Sequence, residues 1–116
     1  HEMSLVHDLV DVVLAESQKN GIAEVGTVHL TIGEGSDIVV DFLDGLFRHL
    51  ARGTAAANAR VVVRRVPITV RCNACGEVFP LNVYDEKTWA CPRCGAFKNY
   101  VLASGLEFTI DRIEAA

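Results

Sequence analysis

The sequence predicts an α+β fold in which two helices pack on a small β-sheet, with a cysteine-bearing module inserted before the last strand. Two observations predict this fold. Before residue 67 the apolar residues change twice from a helical spacing to a pattern typical of strands. All four cysteines then lie between residues 72 and 94. The chain has 116 residues, of which 50% are hydrophobic and 22% charged, so it is large enough to bury a core.

The first predicted element is a helix over residues 5–20. Its apolar residues are three or four positions apart and share one helical face; they are Leu5, Val6, Leu9, Val10, Val13 and Leu14. Ser4 is the expected N-cap, and Gly21 suits the left-handed position at which many helices end.

A strand and a second helix follow. Residues 25–33 alternate between polar and apolar side chains and are rich in β-branched residues, which predicts a half-buried strand. A turn over residues 33–36 leads into a helix that we expect to begin at Asp37 and to be closed by Gly53.

The remaining strands flank the cysteines. Residues 60–71 are valine-rich and are interrupted by Pro67, which predicts a strand, a break and a short extended segment leading into Cys72. A last strand begins near Leu106, and its alternation changes after Asp111, which predicts a bulge or the end of the strand. We therefore expect residues 1–66 with 104–116 to form an α/β domain, and residues 67–103 to form a second domain.

Composition excludes several classes of protein. The longest stretch without Lys, Arg, Asp or Glu is residues 25–33, far short of the ~18 apolar residues of a membrane-spanning helix. No secretory signal is visible in the chain as given. The net charge of −4 argues against broad binding to nucleic acid or to an anionic membrane. We find no nucleophile paired with a base and no phosphate-binding loop, so we expect no enzymatic activity.

The cysteines form two pairs, Cys72 with Cys75 and Cys91 with Cys94, and each pair is separated by two residues. Two such pairs with fifteen residues between them are typical of a structural zinc site of the zinc-ribbon kind. Four thiolates fill a tetrahedral shell and leave no position open for water or substrate.

Other interpretations of the cysteines remain open. Disulfides and a thioredoxin-type redox pair fit the spacing less well, but iron bound as in rubredoxin fits the same four ligands. A nucleic-acid-binding zinc ribbon would need a basic surface, whereas the charges of this segment nearly balance; they are Arg71, Lys87, Arg93 and Lys98 against Glu77, Asp85 and Glu86. We expect its aromatic residues to form a miniature core; they are Phe79, Tyr84, Trp89, Phe97 and Tyr100.

The amino-terminal segment carries an imidazole and a carboxylate at His1 and Glu2. Together with an amine and backbone amides, such a segment can chelate Ni(II) or Cu(II). Composition alone favours a solvated His1 over a metal ligand. We expect the other histidines, His7, His29 and His49, to lie on the surface.

The sequence resembles the HypA/HybF family of nickel metallochaperones that act in [NiFe]-hydrogenase maturation. The resemblance covers nearly the whole chain, and the amino-terminal His-Glu combined with the cysteine pairs and the closing strand is its most specific part. Its motifs are His1 to Leu5, Gly53-Thr54, the strand ending at Pro67, Cys72 to Gly76, Cys91 to Gly95, residues 105–108 and Ile113-Glu114. The family motif starts with Met-His-Glu, so we expect an initiator Met to precede His1.

The resemblance implies a cytoplasmic nickel metallochaperone with a nickel-binding α/β domain and a zinc-binding domain. It implies that His1 binds transported Ni(II) with the terminal amine and nearby backbone amides, and that Glu2 supports the site. It also implies structural Zn(II) on the four cysteines. The implied partners are a HypB-type GTPase, the [NiFe]-hydrogenase large-subunit precursor and, for some members, urease maturation proteins.

Overall fold

The computed structural model describes residues 2–36 and 40–116, with the backbone alone for Glu2. The described chain divides into two compact units. The first lies within residues 1–31, 37–64 and 109–116, and the second comprises residues 32–36 and 65–108. The predicted domain bounds, residues 1–66 with 104–116 and residues 67–103, stay a prediction.

The elements confirm the predicted α+β class. In chain order they are α1 (Glu2–Lys19), β1 (Val25–Gly33), α2 (Val40–Leu50), β2 (Arg60–Val66), β3 (Thr69–Cys72), β4 (Val78–Pro80), a 3-10 turn (Glu86–Trp89), β5 (Tyr100–Ser104) and β6 (Phe108–Ala115). No helix in the described ranges is both long and apolar enough to cross a membrane.

The sheet of the first unit has the strand order β2-β1-β6. Strand β6 therefore returns from the end of the chain to lie beside β1. The N–H of Ala116 donates to the carbonyl of Glu24 (2.9 Å), and the Thr31 hydroxyl donates to Asp111 (2.6 Å), so β1 and β6 run antiparallel. The largest fully buried side chains of this unit are Phe47, Leu30 and Leu43, from α2 and β1.

Several local predictions are confirmed and others are wrong. Strand β1 has the predicted bounds, and Gly21 has a left-handed φ of 70° after α1. The N-cap prediction for Ser4 is wrong because α1 already begins at Glu2.

The predicted start of the second helix at Asp37 lies outside the described residues. Helix α2 ends at Leu50, and Gly53, with φ of 77°, lies in the turn that follows. The break at Pro67 is confirmed, since it separates β2 from β3. Strand β6 begins two residues after Leu106 and runs on to Ala115, so the alternative that it ends near Arg112 is wrong.

The second unit contains an antiparallel sheet of order β4-β3-β5. Val70 pairs with Phe79 on one side, and Cys72 pairs with Tyr100 on the other. Its small buried core consists of Val70, Cys72, Phe79 and Cys91. Two of the four cysteines thus belong to the core of the sheet that presents them.

A close backbone contact also organises the second unit. The N–H of Gly35 donates to the carbonyl of Gly105 at 2.7 Å. A Cβ atom on Gly33 would lie 2.1 Å from the carbonyl carbon of Gly105, and Gly105 itself has φ of 122°. The two chain segments can approach this closely because residue 33 is glycine, and the positive φ of residue 105 favours glycine there as well.

Candidate metal centre

The two cysteine pairs form turns with the same hydrogen-bonding pattern. In the first turn the N–H of Cys72 donates to Glu77 (2.8 Å), and the N–H of Gly76 donates back to Cys72 (2.9 Å). In the second turn the N–H of Cys91 donates to Ala96 at 2.8 Å, and the N–H of Gly95 donates to Cys91 at 2.9 Å. Each pair of thiols is therefore carried on a turn whose backbone polar groups are already satisfied.

A glycine with a left-handed backbone completes each turn. Gly76 and Gly95 have φ values of 80° and 79°, and a Cβ atom on either would meet nothing within 4 Å. The requirement for glycine is therefore conformational and not a matter of space.

The four sulfur atoms converge on one point. All lie within 4.8 Å of one another, and the Cys72–Cys94 and Cys75–Cys91 Sγ distances are both 3.5 Å. A tetrahedral ion with bonds of ~2.3 Å to sulfur separates its ligands by about 3.8 Å. The thiols thus fit a single four-coordinate ion, and two of them, Cys72 and Cys91, are buried.

The thiols differ in acidity before any ion is bound. The backbone N–H groups of Cys75 and Ala74 outweigh burial and lower the pKa of Cys72. Burial raises the pKa of Cys91, but the N–H groups of Cys94 and Arg93 outweigh it and lower the pKa to about 7. Two thiols of the centre are therefore poised to become thiolates, the form that binds a metal.

The other two thiols hold their protons more tightly. The N–H of Glu77 lowers the pKa of Cys75, but burial and the neighbouring sulfurs outweigh it and raise the pKa to about 12. The Ala96 N–H likewise lowers the pKa of Cys94, and the Cys72 sulfur with burial raises it overall. Hydrogen bonds between the sulfurs contribute to this division, because a thiol that keeps its proton donates it to a neighbouring thiolate.

The aromatic residues of this unit form small contacts instead of one core. The ring of Phe79 meets Tyr100 edge-on at 6.2 Å, and Trp89 lies 6.5 Å from Phe97. Tyr84 is 95% exposed, so the prediction that it packs in the miniature core is wrong.

The loop that carries Tyr84 is held by polar contacts. The indole N–H of Trp89 and the hydroxyl of Thr88 both donate to the carbonyl of Asn82, at 3.0 Å each. The loop therefore does not need the packing of Tyr84.

The structure tests little of the predicted nickel site. His1 lies outside the described residues, and Glu2 is described as the first residue of α1. His7 is exposed as predicted and lies 3.5 Å from Asp11 on the same helix. His49 is also exposed.

The surface prediction for His29 is wrong. Its side chain is only 18% exposed and is hydrogen-bonded to the carboxylate of Glu114. The two residues are 85 positions apart and meet because β6 returns beside β1. No local signal in the sequence indicates this pair.

The fold and the four-thiol centre together define a small α+β protein with a candidate metal-binding centre. The family model for HypA, described as hydrogenase/urease nickel incorporation, metallochaperone, matches residues 1–115. The chain belongs to the HypA family, whose members are maturation factors and not enzymes.

Curated relatives carry the same description. A hydrogenase maturation factor HypA of Chloroflexus aggregans is 35% identical over 95 residues, covering 82% of both chains. Another, from Dehalococcoides mccartyi, is 31% identical over 114 residues and covers 98% of this chain and 92% of its own. The similarity therefore spans both units.

Solved structures share the fold. The solution structure of the Ni metallochaperone HypA from Helicobacter pylori matches with a TM-score of 0.66 at 22% identity, covering 99% of this chain and 97% of that one. A second solution structure of a HypA protein matches with a TM-score of 0.73 at 23% identity, covering 100% and 96%. Family membership and fold thus agree.

Proposed function

We propose that this protein takes up Ni(II) at its amino-terminal segment, through His1 supported by Glu2, and delivers it for maturation of a [NiFe]-hydrogenase. One observation carries the proposal: the family match begins at residue 1 and therefore includes both residues. The recipient is the large-subunit precursor, and a HypB-type GTPase assists delivery. Delivery of nickel to urease maturation proteins is an alternative to be tested as well. We expect the protein to act in the cytoplasm.

The chemistry of a carrier supports a site of this kind. A carrier must release its cargo, so ligands at the end of a chain suit it better than a cage that encloses the ion. Imidazole and amide nitrogens lose protons when they bind Ni(II), so the affinity rises with pH. Helix α1 begins at Glu2, the residue proposed to support the site.

The resident metal of the four-cysteine centre is proposed to be Zn(II) in a structural role. The sulfur positions suit a tetrahedral ion, and four protein ligands leave no place for a substrate. Iron fits the same sulfurs and would make the unit a rubredoxin-like electron carrier. Zinc is favoured because the centre belongs to one unit of a larger α+β protein. In a rubredoxin, by contrast, nearly the whole protein surrounds the iron site.

Substitution of the amino-terminal imidazole tests the nickel site. His1→Ala is expected to abolish stoichiometric nickel binding in equilibrium dialysis while zinc content and circular dichroism stay unchanged. His49→Ala is the matched control, because His49 is an exposed histidine on α2. Equal nickel uptake by the His1 variant and the wild type would refute the assignment.

Metal analysis separates the candidate functions of the cysteines. The purified protein is expected to be colourless and to contain one zinc per chain. A red colour with one iron per chain would favour electron transfer. The zinc-ribbon interaction module, a third candidate, predicts zinc without nickel binding.

Partner binding tests delivery. The nickel-loaded protein is expected to transfer its nickel to the large-subunit precursor faster in the presence of the GTPase, and the His1→Ala variant should transfer none. Nickel transfer that does not depend on His1 would contradict the proposal.

A further inference from the structure

The four cysteines of the metal centre differ in their access to solvent. Cys94 is exposed and Cys75 is half-buried, whereas Cys72 and Cys91 are buried. A thiol that coordinates a metal ion has lost its proton, and the thiolate is the nucleophilic form of cysteine. An oxidant dissolved in water therefore reaches the sulfur of Cys94 before the other three.

Each of the more accessible sulfurs lies beside a buried sulfur on the other cysteine turn. The Sγ atoms of Cys94 and Cys72 are 3.5 Å apart, and those of Cys75 and Cys91 are also 3.5 Å apart. A cysteine oxidised to a sulfenic acid condenses with a neighbouring thiol to form a disulfide. Each close pair thus combines a sulfur that an oxidant can reach with a second sulfur that can complete a disulfide.

We propose that the metal centre is a peroxide-sensitive switch, in which hydrogen peroxide oxidises Cys94, Cys72 forms a disulfide with it, and the bound ion is released. This inference rests on the Zn(II) centre proposed above. It does not depend on the nickel site.

The two chemical steps need no reactant other than peroxide. The Cys94 thiolate attacks one oxygen of the peroxide, so an S–O bond forms, the O–O bond breaks and hydroxide leaves; the sulfur gives up two electrons to the peroxide. The Cys72 thiolate then attacks the Cys94 sulfur, so an S–S bond forms, the S–O bond breaks and a second hydroxide leaves. Two thiolates and one peroxide become one disulfide and two hydroxide ions, and the ion loses two of its four ligands.

Release of the ion affects the second unit as a whole. Cys72 and Cys91 belong to its small core, and Cys72 pairs with Tyr100 in its sheet. A thiol reductant reverses the disulfide by exchange, after which the centre can bind an ion again. The metal content and the order of this unit therefore follow the oxidation state of the surroundings.

Oxidation of the wild type identifies the first disulfide. The full-length protein is loaded with one Zn(II) per chain and treated with hydrogen peroxide, and zinc release is followed with a coloured chelator. Trypsin cleaves after Arg93 and so separates Cys91 from Cys94 for mass spectrometry. The expected first product links Cys94 to Cys72, and dithiothreitol with Zn(II) is expected to restore the zinc content.

Histidine substitutions test the role of the exposed sulfur. Cys94→His keeps four ligands, because imidazole also binds Zn(II), but it removes the sulfur that peroxide reaches first. Since oxidation follows the exposure of the thiolate, zinc release by peroxide is expected to slow about tenfold. Cys75→His is the matched control, because it removes the half-buried sulfur of the other close pair and should release zinc at the wild-type rate.

The zinc content before oxidation verifies that each variant holds its ion, and disulfide mapping of the wild type needs no variant. Zinc that stays bound under peroxide, a first disulfide that does not contain Cys94, or equal release rates for the two histidine variants would each overturn the proposal. A wild type that takes up no Zn(II) would contradict the zinc assignment together with this proposal, whereas zinc retained under peroxide contradicts this proposal alone.

Discussion

The carboxylate of Asp44 on α2 accepts a hydrogen bond from the backbone N–H of Val61 in β2, with an N–O distance of 2.9 Å. Its second oxygen accepts from the guanidinium of Arg48 at 2.5 Å. Burial raises the pKa of Asp44, but the Val61 N–H and Arg48 outweigh it, so the pKa lies below its ordinary value. One charged side chain thus joins the second helix to the start of the edge strand β2.

Replacement of this carboxylate is expected to lower stability in a pH-dependent way. Asp44→Asn should reduce the free energy of unfolding at neutral pH by about 1 kcal/mol, because a charged acceptor is lost at a partly exposed site. A lowered folded-state pKa stabilises the protein above the ordinary pKa of Asp, and this effect is lost as the pH falls through the folded pKa. Urea titrations should therefore show that the difference in the free energy of unfolding between the wild type and Asp44→Asn becomes smaller at low pH.

Asp41→Asn provides the control for this prediction. Asp41 is an exposed acid in the first turn of the same helix. Its replacement should change stability less than that of Asp44. A difference between wild type and Asp44→Asn that stays constant down to low pH would argue against the role of the carboxylate.

The two phenylalanines of α2 should respond very differently to truncation. Phe47 is fully buried, whereas Phe42 is 68% exposed. Phe47→Ala is expected to cost about 3–5 kcal/mol, since it leaves a cavity in the core. Phe42→Ala should change the free energy of unfolding by only about 0.5 kcal/mol. Thermal denaturation of both variants checks the contrast, and similar losses would contradict the described packing of α2.

Alanine at two glycines should act in opposite directions. Gly76→Ala is expected to destabilise the protein by about 1 kcal/mol, because φ is 80° at this position. Gly45→Ala should stabilise it by up to about 1 kcal/mol, because Gly45 lies inside α2 and a Cβ atom would meet nothing within 4 Å. Chemical denaturation measures both, and effects of the same sign would refute the backbone argument.

Loss of one thiol should empty the metal centre. Cys91→Ser is expected to remove the bound zinc and to increase hydrogen exchange of residues 65–108, since Cys91 belongs to the small core of that unit. Ala74→Ser changes a residue of the first cysteine turn that carries no thiol and should retain the metal. Unchanged zinc content of the Cys91 variant in mass spectrometry would exclude the four-thiolate centre.

Structural features that depend on the local sequence pattern could be predicted. Contacts between residues far apart in the sequence could not. Alternation alone located β1, and the missing N–H of Pro67 located the break before β3. The hydrogen bond between His29 and Glu114 depends on which strand lies beside β1. Packing of the whole unit determines that β6 pairs with β1. The sequence around His29 and around Glu114 therefore does not indicate the pairing.

The metal centre was more predictable than the rest of its unit. The spacing of the cysteines alone indicated that all four sulfurs share one ion, and their positions agree with this prediction. Composition could not indicate that Tyr84 lies outside the small core, because polar contacts hold its loop instead. The predicted roles of His1 and Glu2 rest on family membership and await the nickel experiment.

The contact between Gly33 and Gly105 limits how the sequence of this protein can vary over evolution. A methyl group at Gly33 would meet backbone atoms, which cannot rotate out of the way as a side chain can. Gly105 is restricted separately, because a Cβ atom there would lie 2.9 Å from the Cα of Ile68. No second substitution can compensate for either change, so relatives with this fold should retain glycine at both positions while the surrounding loops diverge.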